Sequence, residues 1–258
     1  MQLYLAVTPD DLQNAKVYTP YLAHVAYRIG ADSHLLRAAL PGQLRGGMAV
    51  LSDRDAPAAS WDCAIDELTQ ECVQRNYAGV ILDFEGNAPH DSLVRSLDDA
   101  LYRIRRRLFV PESYAAHVAH AAVLINTALS GGTLRERLSQ AVTQYGASRL
   151  VLDLQRLTMD FPLPCPSGEG KPLSLTELHQ LRQGRSVFFS EELCARYFTY
   201  RRGGATRFVL FDDGDTLRRK MQLGESLGIG EGLLMYPEVA DILDYLYAKK
   251  SDSFAAGN

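Results

Sequence analysis

Along this chain, short apolar runs that end in polar residues alternate with longer segments of helical period. This is the pattern of repeated strand-helix units around a parallel sheet. It predicts strands at Leu3 to Val7, His24 to Ile29, Gly47 to Leu51, Ala78 to Glu85, Leu108 to Glu112, Arg149 to Gln155, Arg207 to Phe211 and Gly232 to Tyr236. The apolar run Ala122 to Leu129 reads either as an additional strand or as an excursion. Ser186 to Tyr200 has no obvious place in the alternation.

The intervening helices carry one apolar stripe each. Trp61 to Asn76 follows Ser60 as a candidate N-cap, and Pro237 to Lys250 sets Val239, Ile242, Leu243 and Leu246 on one side. From Pro162 to Pro172 the density of proline and glycine predicts a long loop, because proline removes backbone donors. No composition shift marks a second domain, so residues 1–250 are expected to form one domain and 251–258 a flexible tail. No glycine-rich turn follows the first strand to hold a dinucleotide, and eight strands with helices between them suit a closed (β/α)8 TIM barrel, with room for a small insertion.

Composition narrows the function classes. The 258 residues are 47% hydrophobic and 22% charged, ordinary values for a folded chain. Lysine and arginine total 27 against 31 acidic residues, a net charge of −4 that speaks against nucleic acid or an anionic membrane as the main partner. No apolar run approaches the roughly 20 residues that cross a bilayer. The first residues lack the basic start and the length of a secretory leader, so the sequence as written reads as cytoplasmic. Cys63, Cys72, Cys165 and Cys194 are too sparse for a disulfide scaffold and lack zinc-site spacing.

The chemistry-bearing segment is Ala78-Gly79-Val80-Ile81-Leu82-Asp83-Phe84-Glu85, an apolar strand that finishes with two carboxylates. Strand side chains alternate, so Asp83 and Glu85 share a face with Ile81, while Leu82 and Phe84 share the other. If the latter pair faces the helices, both acids enter the barrel. Two acids in one confined site do not ionise independently, which leaves one protonated near neutral pH as a general acid. The structural alternative is that both acids cap the strand or bind backbone amides of the next loop.

This segment resembles the fourth-strand signature of the family 18 glycoside hydrolases, the chitinase-like barrels, whose usual pattern is Asp-x-x-Asp-x-Asp-x-Glu. The last two acids fall on Asp83 and Glu85, and the first two positions are Ala78 and Ile81. Tyr21 to Asp32, with Tyr27 at its centre, resembles the early strand of the spore peptidoglycan-hydrolase branch. Phe211-Asp212-Asp213 with Thr216 and Lys220, then Leu227 to Gly232, is similar to that family's acidic turn, helix and glycine-rich entry to the last strand. Tyr236 stands where the family usually has a sugar-stacking tryptophan.

The resemblance implies hydrolysis in which the substrate's acetamide oxygen attacks the anomeric carbon. Glu85 would be the proton donor, Asp83 would orient the acetamide, and Tyr236 and Tyr27 would contact sugar. The implied ligand is an N-acetylhexosamine glycan of chitin or peptidoglycan type, with no cofactor and no metal. A spore-associated role would reconcile such a polymer with the missing leader.

Two departures from the pattern favour a catalytically inactive carbohydrate-binding or scaffold barrel instead: Ile81 removes the deeper acid, and Arg149 to Leu157, read as the sixth strand, lacks the family's tyrosine. Asp153 and Gln155 share one face there, and either supply substitute hydrogen bonds to a sugar or are satisfied by neighbouring strands. An unrelated barrel enzyme acting on a small metabolite is a third reading.

The remaining motifs read as structural. His117 and His120 have helical spacing but no acidic partner at zinc-site spacing. Asp212-Asp213-Gly214-Asp215 fits a turn into a helix N-cap better than a calcium loop. Arg103 to Arg107 sits where cations complement a helix C-terminus. No serine or cysteine has the context of a catalytic nucleophile.

Overall fold

The computed structural model describes residues 1–54, 61–84, 90–166 and 168–248. In chain order the strands are β1 (Gln2–Val7), β2 (Leu22–Ile29), β3 (Leu35–Arg37), β4 (Met48–Ser52), β5 (Gly79–Asp83), β6 (Arg107–Pro111), β7 (Ala122–Asn126), β8 (Leu150–Asp153), β9 (Thr158–Leu163), β10 (Lys171–Pro172), β11 (Phe188–Ser190), β12 (Ala195–Arg202), β13 (Ala205–Phe211) and β14 (Glu231–Met235). The α-helices are α1 (Leu12–Ala15), α2 (Asp62–Gln74), α3 (Asp91–Arg103), α4 (Leu134–Tyr145), α5 (Leu175–Arg182), α6 (Gly214–Ser226), α7 (Tyr236–Val239) and α8 (Leu243–Tyr247).

Parallel pairing runs β1-β14-β8-β7-β6-β5-β4-β2, and β1 also pairs with β2, so eight strands close into a (β/α)8 barrel. Strand β3 adds to β2 antiparallel. Alternation along the barrel strands sorts side chains into two environments. Tyr4, Ala6, Ala23, Met48, Val50, Ile81, Phe109, Leu124, Val151 and Leu233 form a cluster that contains no helix residue, the filled interior. Their sequence neighbours join clusters shared with the helices, such as Leu82 and Val80 with Leu68 and Leu97. Where β5 and β6 approach, a Cβ at position 79 would lie 2.1 Å from the Arg107 carbonyl oxygen, so only glycine fits.

Two strand assignments are corrected. Ala122–Asn126 is the sixth barrel strand, and Leu150–Asp153 is therefore the seventh. The run Arg207 to Phe211 lies outside the barrel. It belongs to a five-stranded antiparallel sheet, order β10-β9-β13-β12-β11, inserted between β8 and α6. That sheet also accounts for Ser186 to Tyr200 and for parts of the stretch read as one long loop. Its own core includes Phe198, Val209 and Phe211, with Leu173 and Leu178 from the segment around α5.

Helix α2 starts at Asp62 with Trp61 as its N-cap, and the expected cap Ser60 lies outside the described residues. The last helical stretch is broken into α7, a 3-10 turn at Ala240–Ile242, and α8. The expected tail at 251–258 lies outside the described residues. Among the described residues no helix is long and apolar enough to cross a membrane.

At the N-terminal end of the barrel, Arg107 makes paired hydrogen bonds to Glu231 at 2.7 and 2.6 Å, and the Tyr4 hydroxyl donates to the same carboxylate at 3.2 Å. With the Tyr4 ring edge-on to Phe109 at 5.3 Å, these groups close the floor. The open end is therefore the opposite one, where the strands finish.

Candidate active site

The residues that finish the inward face of each barrel strand line the mouth. Ser52 ends β4 and is in register with Asp83 at the end of β5. Asn126 ends β7 in register with Asp153, which ends β8 and itself pairs with Leu233. Polar residues at these positions cost no core packing, because the strand ends leave the apolar interior there and meet solvent.

Asp83 is partly exposed at the end of the fourth barrel strand. Ile81 lies in the interior cluster, while Leu82 and Phe84 pack toward the helices, so alternation directs Asp83 into the mouth. It lines a cavity of about 240 Å3 with Ser52, Arg28, Arg37 and Arg54. Glu85, the candidate proton donor, lies outside the described residues. On the far side of the mouth, Asn126 donates through Nδ2 to Gln155 Oε1 at 3.2 Å and accepts from Ala128 N at 2.6 Å. Thr127 donates twice to the Asp153 carbonyl, at 3.0 Å from N and 2.9 Å from Oγ1.

Gln155 also borders a second cavity, of about 400 Å3, with Arg156, Thr158, Leu173 and Glu238. Arg156 is nearly buried and fixed by the carbonyl of Glu238 at 2.8 Å and by Asp241 at 2.5 Å. The insertion sheet thus builds one wall of this part of the mouth.

The two aromatic candidates are set differently: Tyr27 borders the cavity that Asp83 lines but is only 2% exposed, and Tyr236 packs outward. Tyr27 is buried between β2 and α2, where its hydroxyl donates to Glu71 at 3.1 Å and meets the Tyr77 hydroxyl at 2.9 Å. Burial, followed by the bond to Tyr77, raises its pKa far above the ordinary phenol value. Tyr236 packs into the cluster shared with the outer helices, and Met235 takes the neighbouring inward position. Asp83, Asp153 and Gln155 are brought to one end of the barrel; Tyr27 and Tyr236 are not presented to its interior.

Sequence reasoning gave no role to Asp53, which follows β4, or to His90, which precedes α3. Asp53 and His90 form a buried pair, Oδ2 to Nε2 3.7 Å. The His90 ring is edge-on to both Trp61 at 5.1 Å and Phe84 at 5.4 Å. The sequence places Trp61 in a helix and Phe84 on the helix-facing side of its strand. The histidine pair separates: His117 Nε2 lies 3.5 Å from Asp91 Oδ1, whereas His120 stacks on Tyr102 at 3.6 Å. Among the described residues no three His, Cys, Asp or Glu side chains group to hold a metal.

This arrangement has close counterparts among solved structures. The spore cortex-lytic enzyme SleL of Bacillus cereus superposes with a TM-score of 0.67 at 18% identity, over 96% of this chain and 74% of that one. A chitinase from Chromobacterium violaceum gives 0.67 at 15% identity, over 92% and 94%. A glycoside hydrolase family 18 N-acetylglucosaminidase from Paenibacillus barengoltzii gives 0.68 at 14% identity, over 95% and 98%.

In fold, this chain is similar to the barrels of these enzymes. No family model matches its sequence, and no curated protein matches it either. The likeness therefore resides in the course of the backbone. The sixth barrel strand ends at Asn126, with Thr127 after it, so no tyrosine stands at the end of either the sixth or the seventh strand.

Proposed function

We propose that this chain binds N-acetylhexosamine-containing glycans in the barrel mouth and hydrolyses them. The observation that carries the reading is Asp83 on the inward face at the end of the fourth strand of a family 18-like barrel. The acetamide oxygen of the bound sugar attacks the anomeric carbon as the glycosidic C–O bond breaks, and Glu85 gives its proton to the departing oxygen. Asp83 orients the acetamide and balances the positive charge that develops on it. Water then opens the cyclic intermediate and returns a proton to Glu85.

Asp153, Gln155 and Asn126 supply hydrogen bonds to sugar hydroxyls from the opposite rim. The likeness to spore cortex-lytic enzymes and to an N-acetylglucosaminidase makes peptidoglycan fragments and N-acetylglucosamine oligomers the first substrates to try, and fits a spore-associated role. The purified chain is incubated with both, beside Glu85→Gln. Product from wild type and none from the variant is expected; no product from wild type, or equal product from both, removes hydrolysis.

A second reading rests on Ile81, which is 1% exposed within the apolar interior where the family pattern has an acid. A barrel that has lost this acid binds sugar without cleaving it. Calorimetric binding of N-acetylglucosamine oligomers without turnover supports this alternative.

A further inference from the structure

The end of the barrel opposite the mouth carries a third cavity, of about 730 Å3, within the usual size range of small-molecule sites. It lies where β6, β7 and β8 begin and α3 ends, and Tyr102, Arg103, Arg105, Arg106, His120 and Arg149 border it. Arg107 also lines it but is neutralised by Glu231. The one lining carboxylate, Asp98, is buried and already accepts the backbone N–H groups of Ala119 at 2.7 Å and His120 at 2.9 Å.

Four of the arginines that line it therefore have no carboxylate partner among the described residues. Arg149 bonds only the Ala121 carbonyl, and Arg106 reaches Asn76 Oδ1 at 3.1 Å while its buried Nε has no partner. Several arginines elsewhere in this chain of net charge −4 are paired with acids, as in Arg75–Glu71, Arg156–Asp241 and Arg207–Asp160.

The backbone supplies an independent observation. Helix α3 ends in a turn in which Arg106 N donates to the Leu101 carbonyl at 2.8 Å and Arg105 adopts φ 57°. That left-handed position favours glycine or asparagine. The matching turn after α2 has Asn76 at φ 50°. A strained arginine is thus held at the cavity rim, where glycine would relieve the backbone.

We propose that this cavity binds a small anion carrying two or more phosphate groups. Forked guanidinium donors match phosphate oxygens in pairs, and several such groups around one concavity suit a ligand with several charges rather than one. The stacked Tyr102 and His120 rings form a flat wall beside them.

Sodium tripolyphosphate is the probe, titrated calorimetrically into the full chain at about 0.15 M salt, where exposed charges are screened beyond about 8 Å. Saturable one-to-one binding is expected, weakened tenfold or more in Arg103→Ala/Arg105→Ala. Arg105→Gly separates the ligand role from a structural one: it should raise the thermal midpoint while weakening tripolyphosphate binding. The proposal is overturned if no saturable binding occurs, if the double variant binds as tightly as wild type, or if sodium sulfate at equal ionic strength displaces tripolyphosphate equally well. The readout is independent of glycan turnover at the opposite end of the barrel.

Discussion

Lys220 donates to Asp212 at 2.7 Å with both side chains completely buried. The same carboxylate accepts from Thr216 Oγ1 at 2.8 Å and from Leu157 N at 3.0 Å, and the Asp212 N–H returns a bond to the Leu157 carbonyl at 2.7 Å. One ion pair therefore ties the segment leaving β8, the residue that follows the insertion sheet and the first turns of α6. Asp213 caps that helix, with Thr216 completing the capping box.

Removing one partner strands a charge in a dry site, a loss of about 3–5 kcal/mol. Lys220→Met is expected to lower the urea midpoint accordingly. Asp212→Leu/Lys220→Met should cost less than Asp212→Leu alone, although Leu157 N loses its acceptor in both. A double-variant loss equal to the sum of the two single losses would mean that the pair itself contributes nothing.

Glu231 is held by Arg107 and Tyr4 at the barrel floor. Burial pushes its carboxyl pKa up, but the hydrogen bond and charge of Arg107 and the bond from Tyr4 outweigh burial and leave it below the ordinary value. Glu231→Gln should cost about 1–2 kcal/mol at neutral pH, since the remaining arginine is partly exposed. Because a lowered carboxylate pKa stabilises only above the unfolded value, the cost should shrink as pH falls through that range. Urea titrations of both proteins at neutral pH and near pH 3 check it, and an undiminished difference at acid pH contradicts the assignment.

His24 provides a titration of opposite chemistry. Its ring is buried beside Tyr77, and burial lowers its pKa from 6.5 to about 4, with a hydrogen bond to the Gly46 backbone working against the shift and the Arg75 charge adding to it. The folded chain thus holds a neutral imidazole, while the unfolded chain protonates from 6.5 downward. Stability is complete above that pH and is lost progressively between 6.5 and 4, by roughly 3 kcal/mol in all. His24→Gln should flatten this part of the stability profile, measured by denaturant midpoints from pH 4 to 7.5. An unchanged slope would show that other groups carry it.

Much of the barrel was legible because its strands are continuous apolar runs that no helix of this length would need, as in Val80 to Leu82. Pairing partners were not legible. Arg207 to Phe211 has the same local pattern as a barrel strand, and only long-range contacts, such as Arg207 and Tyr200 with Asp160, assign it to the insertion.

Tyr27 sits where β2 is irregular. Counting by twos from Ala23 and Val25 would turn it inward, but a register shift between Val25 and Tyr27 sets it opposite Leu51 on the helix side and leaves Arg28 opposite Ser52 at the mouth. Tyr236 follows unbroken alternation from Leu234, so its outward packing was readable from parity once the strand was placed. Asp83 shares the parity of Ile81, which lies in the interior cluster, and no bulge interrupts β5.

Asp83 offers the sharpest separation between the two readings of the mouth. Asp83→Asn keeps the size and most of the hydrogen bonding of the side chain at a partly exposed strand end, so stability should change by less than about 1 kcal/mol. It removes the negative charge that the hydrolytic reading sets against the developing oxazolinium ion. That interaction strengthens only in the transition state, so kcat should fall about a hundredfold or more with little change in KM. If the mouth only binds sugar, the substitution has no turnover to reduce, and calorimetry should instead show a modest loss of affinity for N-acetylglucosamine oligomers. An active wild type whose kcat survives Asp83→Asn would contradict the assigned role of Asp83 while leaving the barrel and its glycan specificity intact.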